Sequence, residues 1–291
     1  MTPFECPELL EIAEKEAAAL DKVRVSYGET PEHLVQVLNQ GPTFEANENE
    51  LLLRVKTVGR YLVRNGSEII ITKEEGTGDD EIRLFLFGSA IGALLQQRGY
   101  LTLHASGIKT AKGAVLFAGH SGAGKSTTLQ EFLRRGYKKL SDDTVAMYYD
   151  EKQQQVVCLP SYPQSKLWQE SADMLQLETE ALRRIRPELK KFALPTAEYF
   201  HDAMLPLHAI YILSTHNKQS VDIEEVANLQ RFNAIKNHTY RKKFLEKLPQ
   251  RRNHFQISTK VAQGYRVKRL IRPDKAGSLK VLADLVESDF S

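Results

Sequence analysis

Apolar and polar positions divide the chain into two zones of different pattern. In the first zone, short runs of aliphatic and β-branched residues are separated by turn residues such as Asn65-Gly66, which predicts β-strands joined by tight turns. An acidic helix is expected before them, from Pro7 to Leu20. The charged, glycine-containing stretch Lys73–Asp80 marks the predicted end of this zone. The predicted strands are Val23–Val25, Leu51–Val55, Tyr61–Val63 and Ile69–Ile71.

A long helix and a strand are predicted at the start of the second zone. Asp79 or Asp80 can cap a helix that runs to about Arg98. This helix carries apolar residues on nearly all of its faces, so we expect it to be buried. The next segment, Tyr100–Ser106, alternates between apolar and polar residues as a half-buried strand does. The polar face of that strand would carry Thr102, His104 and Ser106.

A strand, a glycine-rich loop and a helix follow in direct succession. Ala114–Ala118 is unbroken apolar, which is typical of a central strand covered on both faces. Lys125–Arg135 is amphipathic and ends at Gly136, as a helix would. Together the elements predict an α/β domain over residues 79–291, preceded by a small β-rich α+β domain over residues 1–78. Further strands are predicted at Val145–Tyr149, Val156–Leu159 and Ala209–Leu213, and further helices near 170–190, 223–248 and 274–288.

The loop before Lys125 matches the phosphate-binding pattern GxxxxGK[ST]. Its glycines let backbone N–H groups turn toward an anion without a side-chain clash, and the following helix points its positive dipole end at the same place. Lys125 would reach the terminal phosphates of ATP, and the hydroxyl of Ser126 would ligate Mg²⁺. The predicted nucleotide-binding residues are Gly119, His120, Ser121, Gly122, Ala123, Gly124, Lys125, Ser126 and Thr127.

Composition narrows the classes of function. The 291 residues are enough for two domains with sizeable cores, and a net charge of +3 is too small to imply a nucleic-acid partner. Cys6 and Cys158 form no CxxC pair, so neither a disulfide framework nor a zinc site is expected. The first residues lack the apolar stretch of a signal peptide, and no run of 18 apolar residues occurs. We therefore expect a cytoplasmic protein without a membrane segment.

Two common classes of phosphate-loop protein lack their markers in this sequence. An ordinary ATPase carries a second apolar strand ending in Asp, and Lys138–Asp143 does not have that pattern. A GTPase needs NKxD to recognise guanine, and the nearest string, Asn217–Ser220, ends in Ser instead of Asp. Both absences favour a different kind of ATP-dependent enzyme.

Residues 100–150, taken as a set, resemble the catalytic core of the HPr kinase/phosphorylase family. His104 precedes Lys125 by 21 positions and Asp142 follows it by 17, and both separations are similar to those of the family. The resemblance implies a phosphate-loop kinase domain of the HPr kinase and phosphoenolpyruvate carboxykinase type. It also implies transfer of the γ-phosphate of ATP to a serine hydroxyl. The matching pieces are His104-Ala105-Ser106, Gly119–Ser126, Arg135-Gly136-Tyr137 and Ser141-Asp142-Asp143.

The resemblance also implies a role for each matching side chain. Lys125 and Ser126 would hold the phosphates and Mg²⁺. Asp142 would be the general base that takes the serine proton, and Asp143 would lie near the metal. His104 would lie close to the transferring phosphate. A carboxylate beside the attacking hydroxyl and cations around the phosphates are what phosphoryl transfer needs.

The sequence departs from the family pattern at several positions. His120 replaces an acidic residue, and Thr127 stands where the family commonly has Glu. Ser165–Trp168 occupies roughly the place of a Glu-Ile-Arg-Gly signature that supplies a metal-ligating Glu, and a later Gly-Arg-Asn segment is missing. Lys166 in this segment is either a phosphate or peptide contact or a solvated lysine. These departures favour a divergent member, similar to serine kinases of peptide-modifying gene sets, some of which phosphorylate the C-terminal serine of a lasso-peptide precursor.

Residues 231–275 are strongly basic, with 14 Lys and Arg residues against Glu246 and Asp274. This stretch is either a solvated helix face or a surface for phosphates or an acidic peptide. Interleaved aromatic residues leave nucleic acid as an alternative, although core packing explains them better. The prediction is an ATP-dependent serine kinase that acts on a peptide or small protein, with homo-oligomers left open. The N-terminal domain over residues 1–78 is expected to help recruit or orient this acceptor. The alternatives are an ATP-binding regulator or NTP hydrolase, and a kinase of a free small molecule such as serine.

Overall fold

The computed structural model describes residues 2–11, 21–186, 188–217, 220–273 and 278–290. The chain forms two compact units. The first unit comprises residues 1–102 and 240–255, and the second comprises residues 103–239 and 256–291.

The first unit is built on a sheet with the strand order β1-β6-β5-β4-β3-β2. The first strand pairs in parallel with the sixth, and the remaining neighbours are antiparallel. The predicted strands are thus confirmed within one or two residues, and the pattern missed the two short strands at residues 39–46. The strands are β1 (Arg24–Tyr27), β2 (Asn39–Gly41), β3 (Phe44–Ala46), β4 (Glu50–Val55), β5 (Gly59–Arg64) and β6 (Glu68–Lys73).

A nearly continuous helical segment covers one face of this sheet. It consists of α1 (Asp79–Phe85), a π-helical turn (Leu86–Ala90) and α2 (Ile91–Gln97). Its burial confirms the expectation for a helix that is apolar nearly all round. The first unit consequently extends past the sequence boundary predicted after residue 78. The core formed by the segment and the sheet includes Tyr61, Ile69, Ile71, Ile82, Leu86, Ala90 and Leu94, together with Phe244 from a 3₁₀ helix at Lys242–Leu245.

The second unit contains a branched mixed sheet. Its described strands run in the order β10-β8-β9-β15-β12-β11, and β17 pairs with β15 and with β16. The sheet pairs β9, β15 and β17 in parallel, so their carboxyl ends lie at one edge of the sheet. The strands that follow β6 are β7 (Leu101–Leu103), β8 (Ala105–Thr110), β9 (Gly113–Ala118), β10 (Lys138–Ser141), β11 (Val145–Asp150), β12 (Gln155–Cys158), β13 (Gln164–Trp168), β14 (Lys191–Pro195), β15 (Leu205–His216), β16 (Asp222–Glu225) and β17 (Arg266–Pro273).

Helices complete the second unit, and two of them supply much of its core. Apolar side chains such as Phe132 and Val286, from the helices at Lys125–Arg134 and Leu279–Phe290, pack with strand residues such as Phe117 and Tyr211. The remaining helices after α2 are α3 (Lys125–Arg134), α4 (Gln169–Met174), α5 (Asn228–Asn237), α6 (Arg251–Gly264) and α7 (Leu279–Phe290), with a 3₁₀ helix at Ala197–Tyr199. No helix in the described ranges is long and apolar enough to cross a membrane.

Several local predictions were wrong, each for an identifiable reason. The helix near 170–190 ends at Met174, since Gln176 adopts a left-handed φ of 56° that a helix cannot continue through. The helix predicted from residue 223 begins as strand β16 instead. Acidic residues there pair across the sheet with basic ones, as Glu225 does with Lys268 at 2.9 Å. The predicted helix 274–288 is observed from Leu279, with residues 274–277 outside the described part.

Two further predictions need correction. Tyr100–Ser106 is not one strand, because His104 interrupts the strand between β7 and β8. Thr102 and Ser106, placed on a polar face, are fully buried. Near the start of the chain, the described part of the predicted helix, Pro7–Glu11, forms a turn, and residues 12–20 lie outside the described residues.

Candidate active site

The predicted phosphate loop, Gly119–Ser126, lies at the carboxyl end of the buried strand β9 and leads into helix α3. Gly122 and Gly124 have φ values of 82° and 98°, a left-handed backbone that favours glycine. A turn closes the loop, with the Ala123 amide donating to the His120 carbonyl at 3.1 Å. The sequence pattern therefore corresponds to a loop that can present backbone N–H groups and a helix N-terminus to an anion.

Lys125, the first residue of α3, is buried beneath this loop. Its ammonium donates to the carbonyl oxygens of Gly119 at 3.0 Å and His120 at 2.9 Å. Burial lowers the pKa of Lys125 to about 8, although the nearby carboxylates of Asp143 and Asp142 raise it. A polyphosphate bound to the loop would favour the charged form of this side chain.

Asp142 connects the phosphate loop to the end of strand β10. The carboxylate is buried, and its Oδ1 accepts hydrogen bonds from Ser126 Oγ at 3.0 Å and from Ser106 Oγ at 2.6 Å. The Asp143 amide also donates to Oδ1, at 3.0 Å, and the Lys166 amide donates to Oδ2 at 3.2 Å. These bonds fix Asp142 next to the serine that follows Lys125 in the loop.

Asp143 has a different environment from its neighbour. Its φ of 74° is unusual for a residue with a side chain, and the carboxylate lines the cavity described below. The carboxylate lies 3.1 Å from Lys166 Nζ and 3.4 Å from His104 Nδ1. Burial alone would raise the pKa of Asp143, but the positive charge of Lys166 holds it well below its usual range. Asp143 is therefore a carboxylate kept ionised beside the loop.

His104 occupies the break between β7 and β8. Its Nδ1 lies 2.8 Å from the Asp143 carbonyl oxygen, which can only accept, so the bonded tautomer carries its proton on Nδ1. Its backbone amide donates to the His238 carbonyl at 2.8 Å. Burial and the charge of Lys125 lower the pKa of His104, which favours the neutral ring.

The hairpin of β13 and β14 brings residues to the site that the sequence motifs did not assign. Lys166 and Trp168, two positions apart on β13, lie on one face of the hairpin and both line the cavity. Lys191 is the register partner of Trp168, and its ammonium lies 5.2 Å from the centre of the indole ring. Strand pairing across more than 20 residues of sequence gives no local signal, so Lys191 could not have been found from spacing.

Arg272 is the second group that the motifs missed. It lies near the carboxyl end of β17. That strand pairs in parallel with β15, which in turn pairs in parallel with β9. Its Nη2 donates to the Ala123 carbonyl at 3.3 Å, and a Cβ atom at Gly124 would lie 3.3 Å from the same nitrogen. The charge excess of residues 231–275 was the available signal, and Arg272, a member of that stretch, lines the cavity.

A cavity of about 670 Å³ in the second unit brings these groups together. Among the described residues, four basic side chains line it against the acidic residues Asp143 and Glu170, which suits a polyphosphate. Gly119, His120, Ala123 and Asp142 are not in its lining; the His120 ring instead faces the ring of His238, 4.8 Å between centres. The lining includes the predicted residues His104, Ser121, Gly122, Gly124, Lys125, Ser126, Thr127 and Asp143, and the unassigned cations Lys166, Lys191 and Arg272.

The donors next to the loop fit magnesium bound together with a nucleotide. Ser126 Oγ and the Asp142 carboxylate are hard oxygen donors in mutual contact, the kind that Mg²⁺ prefers. Within the described ranges, no group of three or more His, Cys, Asp or Glu side chains could hold a metal by itself. Mg²⁺ commonly combines one or two carboxylates with substrate phosphates, so this donor set suits a metal that arrives with ATP.

Comparison with known proteins finds similarity only to solved structures, and that similarity is distant. No protein-family model and no curated protein matches the sequence. The HPr(Ser) kinase/phosphatase from Coxiella burnetii matches with 12% sequence identity and a TM-score of 0.33, over 65% of this chain and 89% of that chain. A similarity of this size supports no conclusion about function.

Proposed function

We propose that the second unit transfers the γ-phosphoryl group of Mg–ATP to a serine hydroxyl of a peptide or small protein. The observation that carries this proposal is the link from Ser126 in the loop to Asp142, whose neighbour Asp143 enters the same cavity as Lys125. Phosphoryl transfer requires this combination of a phosphate cradle, neutralising cations and a carboxylate beside the attacking oxygen.

The phosphate loop would hold ATP by its backbone N–H groups and by the N-terminus of α3. Lys125 and Arg272 would neutralise the phosphates from two sides of the loop. Ser126 and Asp142 would hold Mg²⁺, which neutralises charge on the phosphate oxygens when bound.

Asp143 would receive the proton of the acceptor. The serine oxygen forms its bond to the γ-phosphorus, the bond from that phosphorus to the β-bridging oxygen breaks, and ADP leaves. The charge of Lys166 keeps the Asp143 carboxylate ionised, so the carboxylate would offer an unprotonated oxygen to the acceptor hydroxyl. This assignment exchanges the roles that the resemblance implied, because Asp142 is the carboxylate in contact with Ser126 and Asp143 lines the cavity.

The acceptor is proposed to be a peptide serine, with a C-terminal serine as the first candidate. The sequence resemblance supports serine, and the basic cavity lining favours an acceptor with a carboxylate near its hydroxyl. NTP hydrolysis is the second candidate, because the Ser126–Asp142 contact alone would serve a hydrolase that needs no acceptor.

Mass spectrometry of products tests both candidates. The protein is incubated with Mg²⁺, ATP and peptides that end in serine, carry serine internally or carry alanine in its place, with free serine in parallel. The proposal requires phosphate on a serine peptide and none on its alanine counterpart. Phosphate on free serine and on no peptide would mean that the acceptor is a small molecule instead of a peptide. Steady release of inorganic phosphate without any phosphorylated acceptor would favour the hydrolase.

A further inference from the structure

We infer that Lys191 is a catalytic cation that contacts the transferring phosphoryl group. The inference rests on the proposed function and adds a residue to it that lies in neither the phosphate loop nor the acidic pair. Lys191 opens strand β14 and reaches the cavity from the hairpin, as do Lys166 and Trp168.

The other basic side chains of the cavity already have polar partners within the protein. Lys125 donates to two loop carbonyls, and Lys166 pairs with the Asp143 carboxylate at 3.1 Å. Arg272 donates to the carbonyls of Ala123 and Pro273. Their positions are set by these bonds before any ligand binds.

Lys191 differs from them. Its ammonium makes no hydrogen bond or ion pair with any residue in the described part of the chain, and it lies over the face of the Trp168 ring, 5.2 Å from the ring centre. Burial lowers the pKa of Lys191, although Asp143 acts in the opposite direction. A partly desolvated ammonium without a hydrogen-bonded or ion-paired partner gains more than a solvated one from an incoming anion.

The position of Lys191 points to the reacting phosphoryl group as that anion. Its charge lowers the pKa of both Lys125 and Asp143, so the ammonium lies within electrostatic reach of the loop lysine and of the proposed base. All three side chains line the same cavity. The γ-phosphoryl group must pass between the nucleotide held by Lys125 and the acceptor oxygen beside Asp143.

The chemistry of the step gives this cation its role. While the bond to the serine oxygen forms and the bond to ADP breaks, negative charge is spread over the equatorial oxygens of the phosphoryl group and the leaving oxygen. A cation aimed at those oxygens stabilises the transition state more than bound ATP. Trp168 would hold the stem and charge of Lys191 toward the cavity through its ring face.

Calorimetric binding of ADP–Mg²⁺, with and without aluminium fluoride as a mimic of the transferring phosphoryl group, tests Lys191 without an acceptor. In Lys191→Gln, ADP affinity should stay within about threefold, while the tightening caused by aluminium fluoride should fall by about 10²-fold, the usual scale for one transition-state donor. Lys190→Gln removes an adjacent exposed charge and should behave as wild type, and Lys191→Arg should restore part of the tightening.

Each remaining outcome has a defined meaning. Equal tightening in wild type and Lys191→Gln would overturn the role of Lys191 and leave the proposed function intact. A loss of ADP affinity equal to the loss with the fluoride would make Lys191 an ordinary nucleotide contact and overturn the inference. Failure of the wild-type protein to bind ADP–Mg²⁺ at all would overturn both proposals.

Discussion

Ser126 donates a hydrogen bond to the carboxylate of Asp142 across 3.0 Å, although the two residues are 16 positions apart in the chain. This contact joins the first turn of α3 to the end of β10. It also separates the roles of two adjacent acids, because Asp142 is held by the loop serine while Asp143 lines the cavity.

The two acids should therefore fail in different ways when each is replaced. Asp143→Asn should keep ATP–Mg²⁺ affinity within a fewfold and lose phosphoryl transfer by about 10²-fold or more, since it removes the proposed proton acceptor. Asp142→Asn should weaken Mg²⁺-dependent ATP binding, because it changes the group that contacts Ser126. Calorimetry at varied Mg²⁺ and single-turnover transfer assays separate the two effects.

Asp150→Asn is a suitable control, since it removes an acidic charge on β11 whose carboxylate caps the exposed turn at residues 151–154. It should leave both ATP binding and transfer unchanged. If Asp142→Asn abolished transfer with normal binding while Asp143→Asn was nearly normal, Asp142 would be the base after all.

Lys125 predicts a pH dependence of nucleotide binding. Its pKa of about 8 in the free protein means that a growing fraction of the molecules loses the ammonium as pH rises through that value. Bound phosphates favour the charged form, so binding above pH 8 must also take up a proton. ATP affinity should be level below that pH and weaken by up to tenfold per pH unit above it. Calorimetry in buffers of different ionisation enthalpy measures both the affinity and the proton uptake.

Lys125→Ala should remove this pH dependence along with ATP turnover. The variant loses the ammonium that bridges the loop carbonyls and would reach the phosphates. Persistence of the same pH profile in Lys125→Ala would assign the titration to another group, and unchanged phosphoryl transfer would contradict the site itself.

The loop geometry predicts a specific sensitivity at Gly124. An alanine there must adopt a φ of 98° and place its Cβ 3.3 Å from Arg272 Nη2. Gly124→Ala should therefore lower the free energy of unfolding by about 1–2 kcal/mol and weaken ATP binding. Gly264→Ala, in helix α6 with nothing within 4 Å of the added atom, should instead stabilise the protein slightly and leave binding unchanged. Denaturant unfolding and calorimetry of both variants make the comparison.

The strand and helix on either side of the phosphate loop could be predicted because their signals are local. Ala114–Ala118 is an uninterrupted apolar run, and α3 ends at Arg134, two residues before Gly136. The division of roles between Asp142 and Asp143 could not be predicted, because it depends on the φ of 74° at Asp143 and on the position of Ser126 in space.

The position of the hairpin of β13 and β14 could not be predicted from the sequence for a related reason. It is held partly by Lys139, a fully buried lysine whose ammonium donates to the carbonyls of Tyr162 at 2.8 Å and Gln164 at 2.6 Å and to Thr196 at 3.2 Å. A lysine in a sequence pattern is assigned to the surface, so its role as an anchor between β10 and the hairpin stays hidden until the fold is known. Lys166 and Lys191 depend on that hairpin for their place in the cavity.

The first unit should not tolerate removal of residues 1–78, although the sequence boundary suggested a separate module there. The helical segment that would remain buries Ile82, Leu86 and Leu94 against the strands that would be lost. Phe244 would also lose its ring contact with Phe44, at 4.8 Å between centres. A chain that begins at Asp79 should therefore aggregate or unfold without a cooperative transition for this part. A role of the first unit in acceptor recruitment must be tested in the full chain.

Leu86→Ala should lower the free energy of unfolding by about 2–5 kcal/mol by opening a cavity in this core, and the exposed Val281→Ala in α7 should change it by less than about 1 kcal/mol. Thermal and denaturant unfolding of both variants give this comparison, and a soluble, cooperatively folding chain 79–291 would contradict the division into units on which it depends.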